Sequence, residues 1–121
     1  MKKDDTVYLH HILAAIERIE AYSEGVSFQE FLETEIVQDG VVRQLEIIGE
    51  ASRNLSQELI QRHPEVPWRE IIGLRNRIAH AYYNIDQGVV WDIVQGDLPS
   101  LKRDVARILK EVEDQQGNLS R

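Results

Sequence analysis

The sequence predicts an all-α protein, an up-and-down bundle of four main helices with short helical segments between them. Three observations carry this. Apolar residues recur at intervals of three and four along most of the 121 residues, the period that lines one face of a helix. Only three prolines and seven glycines occur, and they fall mainly between the periodic segments. No stretch alternates apolar and polar residues long enough to build a strand.

The first helix is expected from about Thr6 to Tyr22, where Leu9, Ile12, Leu13, Ile16 and Ile19 share a face. Gly25 punctuates it, and Ser27 suits the cap of a short helical turn holding Phe28, Phe31 and Leu32. A second long helix is expected from near Asp39, with Val41, Leu45, Ile48, Ser52, Leu55 and Leu59 as one unbroken stripe. Gly49 lies inside it at a cost of about 1 kcal/mol against alanine, so it marks either a close helix approach or a tolerated weak spot. "HPEVP" reads as a loop, and Pro67 as the first residue of a third helix that ends or kinks at Asn84–Asp86. A short segment, Val89 to Val94, leads to Gly96. Asp97 then caps a last helix with Pro99 in its first turn and Leu98, Leu101, Val105, Ile108 and Val112 on its apolar face. One domain, 1–121, is expected, with a frayed tail from residue 115.

Composition narrows the function classes. No cysteine is present, which excludes disulfides and thiolate metal sites and fits a cytoplasmic protein. No apolar run is long enough for a signal peptide or a membrane span. The formal charge of −7 has the wrong sign for a general nucleic-acid binder, so any RNA-directed activity must rest on a local cluster. Residues 69–80 hold such a cluster, with Arg69, Arg75 and Arg77 against Glu70. His10 and His11 are adjacent rather than one helical turn apart, and no glycine-rich phosphate loop occurs, so no metal or cofactor is expected.

The segment "GLRNRIAHAYYNID", residues 73–86, carries more polar chemistry than packing needs. Trp68, Ile71, Ile78 and Tyr82 define an apolar stripe whose missing position is Arg75, and Asn76 interrupts the neighbouring row. An unpaired buried guanidinium is costly, so Arg75 is expected either to pair, with Glu46 and Glu50 as candidates, or to stand at the edge of a cleft. A structural Arg–Glu staple would satisfy the same pattern. On an ideal helix Arg75 and His80 point about 140° apart. Arginine's reach, a distortion near Ala79 or a second copy of the helix across a dimer axis would bring them together. Arg77 is the same-face neighbour of His80 if the helix is regular. Histidine exchanges protons near neutral pH, and the planar arginine cation suits phosphate oxygens. The set therefore suits attack of a ribose 2′-hydroxyl on its own phosphodiester, and equally describes an ordinary surface pair.

"RNRIAHAY", Arg75 to Tyr82, resembles the R-x4-H-x-Y motif of the HepT family within the HEPN superfamily. "VVRQLEIIGEASRNLS", "PWREIIGLRNRIAHAYYNID" and "VWDIVQGDLPSLKRDV" resemble the same family in the same order, over about Thr6 to Leu109. The resemblance implies a HEPN-like helical fold and a metal-independent ribonuclease toxin that works as a homodimer on an RNA substrate, tRNA or mRNA. It implies Arg75 and His80 as the catalytic pair with Asn76 supporting, and Arg77 is a further supporting candidate from its spacing to His80. It also implies an MntA-type nucleotidyltransferase antitoxin as partner, which adds AMP to Tyr82, or to Tyr83 if the acceptor is displaced. The competing expectations are a non-catalytic nucleotide-binding or partner-binding subunit of a nucleotidyltransferase, and a purely structural helical dimer.

Overall fold

A computed structural model describes residues 4–80 and 84–119, with the backbone alone at His80, Asn118 and Leu119. Helix α1 (Asp5–Ser23) starts where the Asp4 carboxylate accepts from the Thr6 N–H, and it buries Leu9, Ile12, Ala15, Ile16 and Ile19. Gly25 takes φ 71°, the left-handed turn that only glycine adopts freely, and redirects the chain. Ser27 then caps α2 (Phe28–Glu33) in a reciprocal box with Glu30, as its position predicts.

Helix α3 (Glu35–Arg53) begins four residues before Asp39 and buries Val41, Leu45, Ile48 and Ser52. The expected unbroken stripe to Leu59 is not one helix. Asn54 closes α3, and Ser56 caps a separate α4 (Gln57–Arg62) by accepting from the Leu59 N–H. The Ser56 N–H and hydroxyl both donate to the Asp5 carboxylate, at 2.8 and 2.7 Å. These bonds give the backbone at Ser56 an alternative to continuing the helix. Leu55 and Leu59 are still buried, so the apolar spacing survives a break it cannot reveal.

The expected third helix is likewise shorter and divided. Pro67 precedes rather than opens α5 (Trp68–Ile72), Gly73 separates it from α6 (Leu74–Ile78), and the chain becomes extended at Ala79 (ψ 132°). Strand β1 (Ala79–His80) pairs antiparallel with β2 (Asn84–Ile85), Ala79 opposite Ile85. The Asp86 N–H closes this short ladder by donating to the Ile78 carbonyl at 2.7 Å. These two-residue strands pair only with each other and leave the architecture all-α.

Asp86 caps α7 (Gln87–Asp92), which runs through a π turn (Ile93–Asp97) into α8 (Leu98–Leu119) without a break. Asp97 is therefore not a cap, contrary to the expectation from Gly96, Asp97 and Pro99. The Leu98 N–H reaches back five residues to the Ile93 carbonyl. This widened turn is where Pro99, which lacks an N–H, enters the helix. Helix α8 continues through 115–119, beyond the last apolar repeat.

The core forms where α1 packs against both α3 and α8, with α5 and α6 laid along α3. Trp91 of α7 closes one side against Phe28 and Phe31, at ring-centre distances of 5.7 and 5.3 Å. At another edge the 63–67 loop is fixed to the bundle. The Trp68 indole donates to the His63 carbonyl at 3.1 Å, and Arg107 of α8 donates to Glu65 at 2.8 Å.

Candidate active site

The site begins with two glycines. Gly49 of α3 has no side chain where α5 ends. A Cβ there would lie 3.2 Å from the Ile71 carbonyl oxygen and 3.5 Å from that of Ile72. The residue thus marks a close helix approach, the first of the two readings its position allowed. Gly73 then bends the path without stopping it. Its N–H donates to the Arg69 carbonyl, and its own carbonyl accepts from the Arg77 N–H.

The bend shifts the helical phase. Leu74, not residue 75, continues the buried row of Trp68, Ile71 and Ile78. Arg75 therefore turns outward, with 54% of its side chain exposed, where the sequence pattern put it on the apolar stripe. Asn76 is exposed beside it. Nη1 of Arg75 donates to Oε1 of Glu46 at 2.6 Å, and Glu46 also faces Arg43 at 3.8 Å. Glu50, the other candidate partner, pairs instead with Arg53 at 3.3 Å. Arg75 thus meets both expected conditions. It is paired, and it stands on the rim of an open cleft of about 490 Å³ that Asn76, Glu46, Glu50, Arg53 and Arg69 also line.

The end of α6 at Ile78 means that the figure of about 140° for an ideal helix does not apply to this pair. His80 is no longer on the same helix as Arg75; its backbone lies in β1, on the distorted side of Ala79. The same break means that Arg77 and His80 are not helical neighbours. Arg77 points to a different cleft, of about 480 Å³ beside the π turn, and donates to Asp97 at 2.7 Å. The structure therefore brings Arg75 and Asn76 together and sets Arg77 apart from them. Tyr82 and Tyr83 lie outside the described residues. Arg69, a member of the basic cluster of residues 69–80, joins the cleft, and so does Arg53, which the sequence pattern did not single out. The signal for Arg53 was its spacing of seven from Glu46, two helical turns on the same face.

An arginine that is paired yet half exposed on the rim of an open cleft, five residues before a histidine, defines a class: a helical protein that presents a cation at an open cleft without a glycine-rich loop. Comparison makes it particular. Residues 12–108 match the family described as "Ribonuclease HepT-like". The chain belongs to that family, which places it among ribonucleases. It is 42% identical over 110 residues to "Probable ribonuclease HepT" of Thermococcus cleftensis, covering 91% of this chain and 100% of that one. It is 36% identical over 118 residues to a Methanocaldococcus jannaschii protein, "Gamma-glutamylcyclotransferase and putative RNase". That match covers 98% of this chain but spans only 53% of the relative, about half its length. No solved structure gives a significant match. No helix among the described residues is long and apolar enough to cross a membrane.

Proposed function

We propose that the chain is a metal-independent endoribonuclease whose reacting pair is Arg75 and His80, acting in the cytoplasm as a homodimer. The observation that carries this reading is the outward turn of Arg75 onto an open cleft with Asn76, on the segment that continues into His80. In the reaction, the His80 imidazole takes the proton of a ribose 2′-hydroxyl. The 2′-oxygen forms a bond to the adjacent phosphorus, and the bond from phosphorus to the 5′-oxygen breaks. The departing 5′-oxygen receives a proton from solvent water, leaving a 2′,3′-cyclic phosphate and a 5′-hydroxyl, and the imidazolium returns its proton to solvent. Arg75 stabilises the charge that builds on the non-bridging oxygens. In a two-fold pairing of motif segments, each Arg75 can serve the His80 of the other copy. Asn76 orients the phosphate, and Arg77 supports the segment through its bond to Asp97.

Exposure of the Arg75–Glu46 pair makes the exchange feasible. A solvent-exposed ion pair contributes about 0–1 kcal/mol, so a substrate phosphate can take the place of Glu46 at small cost. The decisive assay is cleavage of total RNA with excess chelator, with end-group analysis. Arg75→Ala and His80→Ala should each abolish cyclic-phosphate formation while the far-ultraviolet spectrum stays that of the wild type. Wild-type cleavage by His80→Ala would refute the assignment. Uncut RNA together with nucleotide binding would favour a non-catalytic subunit of a nucleotidyltransferase.

The same reading makes the chain the toxin of a toxin–antitoxin pair, silenced by an MntA-type nucleotidyltransferase. The Tyr82 hydroxyl would attack the α-phosphorus of ATP, forming the tyrosyl–AMP bond and releasing pyrophosphate. The added negative charge would pair with the arginines of the cleft and exclude substrate phosphates. Incubation with the cognate transferase and ATP should add the mass of AMP to wild type and not to Tyr82→Phe. An adduct retained by the Phe variant would move the acceptor, to Tyr83 in the first instance.

A further inference from the structure

We propose that the groove between α3 and α5–α6 is the track on which the RNA backbone lies, and that Arg53 and Arg69 hold a phosphate next to the one gripped by Arg75. The inference rests on the ribonuclease reading of Arg75 and extends it to residues that reading does not use.

The register of the two walls supplies the geometry. Glu46 meets Arg75, and Gly49 meets the carbonyls of Ile71 and Ile72, so position rises along α3 as it falls along α5–α6. Continuing that antiparallel count places Arg53 opposite the start of α5, where Arg69 stands. Both arginines line the cleft. Seven residues of helix separate Glu46 from Arg53, a rise of roughly 10 Å, so Arg75 and the Arg53–Arg69 end serve different phosphates of one strand.

Charge points to the same ligand. The cleft holds three guanidiniums, Arg53, Arg69 and Arg75, and two carboxylates, Glu46 and Glu50. Each carboxylate engages one of them, Glu46 with Arg75 at 2.6 Å and Glu50 with Arg53 at 3.3 Å. Arg69 is exposed, and its guanidinium has no hydrogen-bond or ion-pair partner among the described residues. A cleft with one cation in excess, on a chain of formal charge −7, is suited to an anion that brings several charges in a row. Glu46 and Glu50 act as internal counterions, displaced when phosphates arrive. An acidic protein thereby takes RNA through one local groove while the rest of its surface repels it.

The test uses the full chain and a fluorescently labelled 2′-O-methyl RNA oligonucleotide, whose blocked hydroxyl separates binding from cleavage. Affinity is measured across a salt series. Arg53→Ala and Arg69→Ala should each weaken binding about five-fold, and the double variant should reduce the slope of log affinity against log salt by about 0.7, the value for one single-strand phosphate contact. On cleavable RNA both should raise KM and leave kcat within about two-fold, since neither touches the reacting phosphate. Glu50→Gln, which frees Arg53, should tighten binding by about three-fold. Arg103→Ala, on the exposed face of α8, is the charge-matched control. If the wild type binds but Arg53→Ala and Arg69→Ala behave as Arg103→Ala does, the track is overturned and the ribonuclease reading stands. Failure of the wild type to bind or cut RNA overturns both.

Discussion

Two exposed arginines, Arg75 and Arg107, make ion pairs that look alike in isolation. Arg75 reaches Glu46 at 2.6 Å with 54% of its side chain exposed, and Arg107 reaches Glu65 at 2.8 Å with 46% exposed. Their surroundings are opposite. Arg107 is one cation among three carboxylates, with Asp104 at 3.4 Å and Glu111 at 3.7 Å in addition to Glu65. Glu65 also meets the buried His63, at 3.2 Å, so the network fixes the 63–67 loop to α8. At the other site cations are in excess. Glu46 faces two guanidiniums, Arg75 and Arg43, and the cleft is lined by three arginines against Glu46 and Glu50, with the Arg69 guanidinium unpaired among the described residues. A cation outnumbered by acids is held in place, whereas cations that outnumber their acid are available to an incoming anion. Distance and exposure of a single pair do not separate a staple from the proposed site; local stoichiometry is where the two differ.

The sharpest way to break this contrast is to remove each arginine in turn and read both stability and chemistry. Arg75→Ala is expected to lower RNA cleavage by about a hundred-fold or more, the scale for losing one preorganised charge-stabilising group, with an unchanged Tm. Arg107→Ala is expected to do the reverse. It leaves Glu65, Asp104 and Glu111 facing one another without their cation, so Tm should fall while kcat stays at the wild-type value. A Tm loss larger for Arg75→Ala than for Arg107→Ala would exchange the two roles.

Gly49→Ala tests the frame that holds the cation-rich cleft open. The new methyl would meet backbone oxygens of Ile71 and Ile72, which cannot swing aside as a flexible side chain would. Such overpacking costs about 1–3 kcal/mol, to be read from urea unfolding. The wall carrying Arg69 and Arg75 must also shift, so KM for RNA should rise. A variant as stable and as active as wild type would show that the α3–α5 approach does not set the cleft.

The contrast between the two arginines also shows what the sequence could and could not disclose. Arg75 stood out because it interrupted an apolar row, and the second helix offered Glu46 and Glu50 as partners, of which only Glu46 takes it. The row itself was misphased. A glycine at position 73 moved the register by one residue, so Leu74 fills the core and Arg75 faces solvent. The breaks at Ser56 and Ala79 were hidden for a related reason. Apolar spacing records burial, and Leu55 and Leu59 remain buried on either side of a helix end created by Asp5, a residue fifty-one positions away. The π turn had the opposite disguise. Gly96, Asp97 and Pro99 are ordinary signals of a helix stop and start, yet the chain passes through them by widening one turn. The Arg107 network left no mark on periodicity at all, because its members come from a loop and from the polar face of α8.

The smallest expected effect concerns pH and belongs to the stapled arginine alone. The hydrogen bond from Arg107, with a smaller contribution from His63, lowers the Glu65 carboxyl from its ordinary value of 4.5 to about 2. Between those values the unfolded chain binds a proton that the folded one does not, so acid favours unfolding. The contribution of Glu65 is fully present above about pH 4.5 and is lost as pH falls towards about 2. Solvent screening at this exposed pair keeps the effect small. Arg107→Ala removes the largest cause of the shift. The difference between its urea midpoint and that of wild type should therefore be greatest above the window and shrink as pH falls through it. Arg75→Ala should track the wild type across the same series, because Arg75 has no part in holding Glu65. A difference between Arg107→Ala and wild type that stayed constant through the window would mean that Arg107 stabilises the loop by packing its alkyl stem rather than by its bond to Glu65.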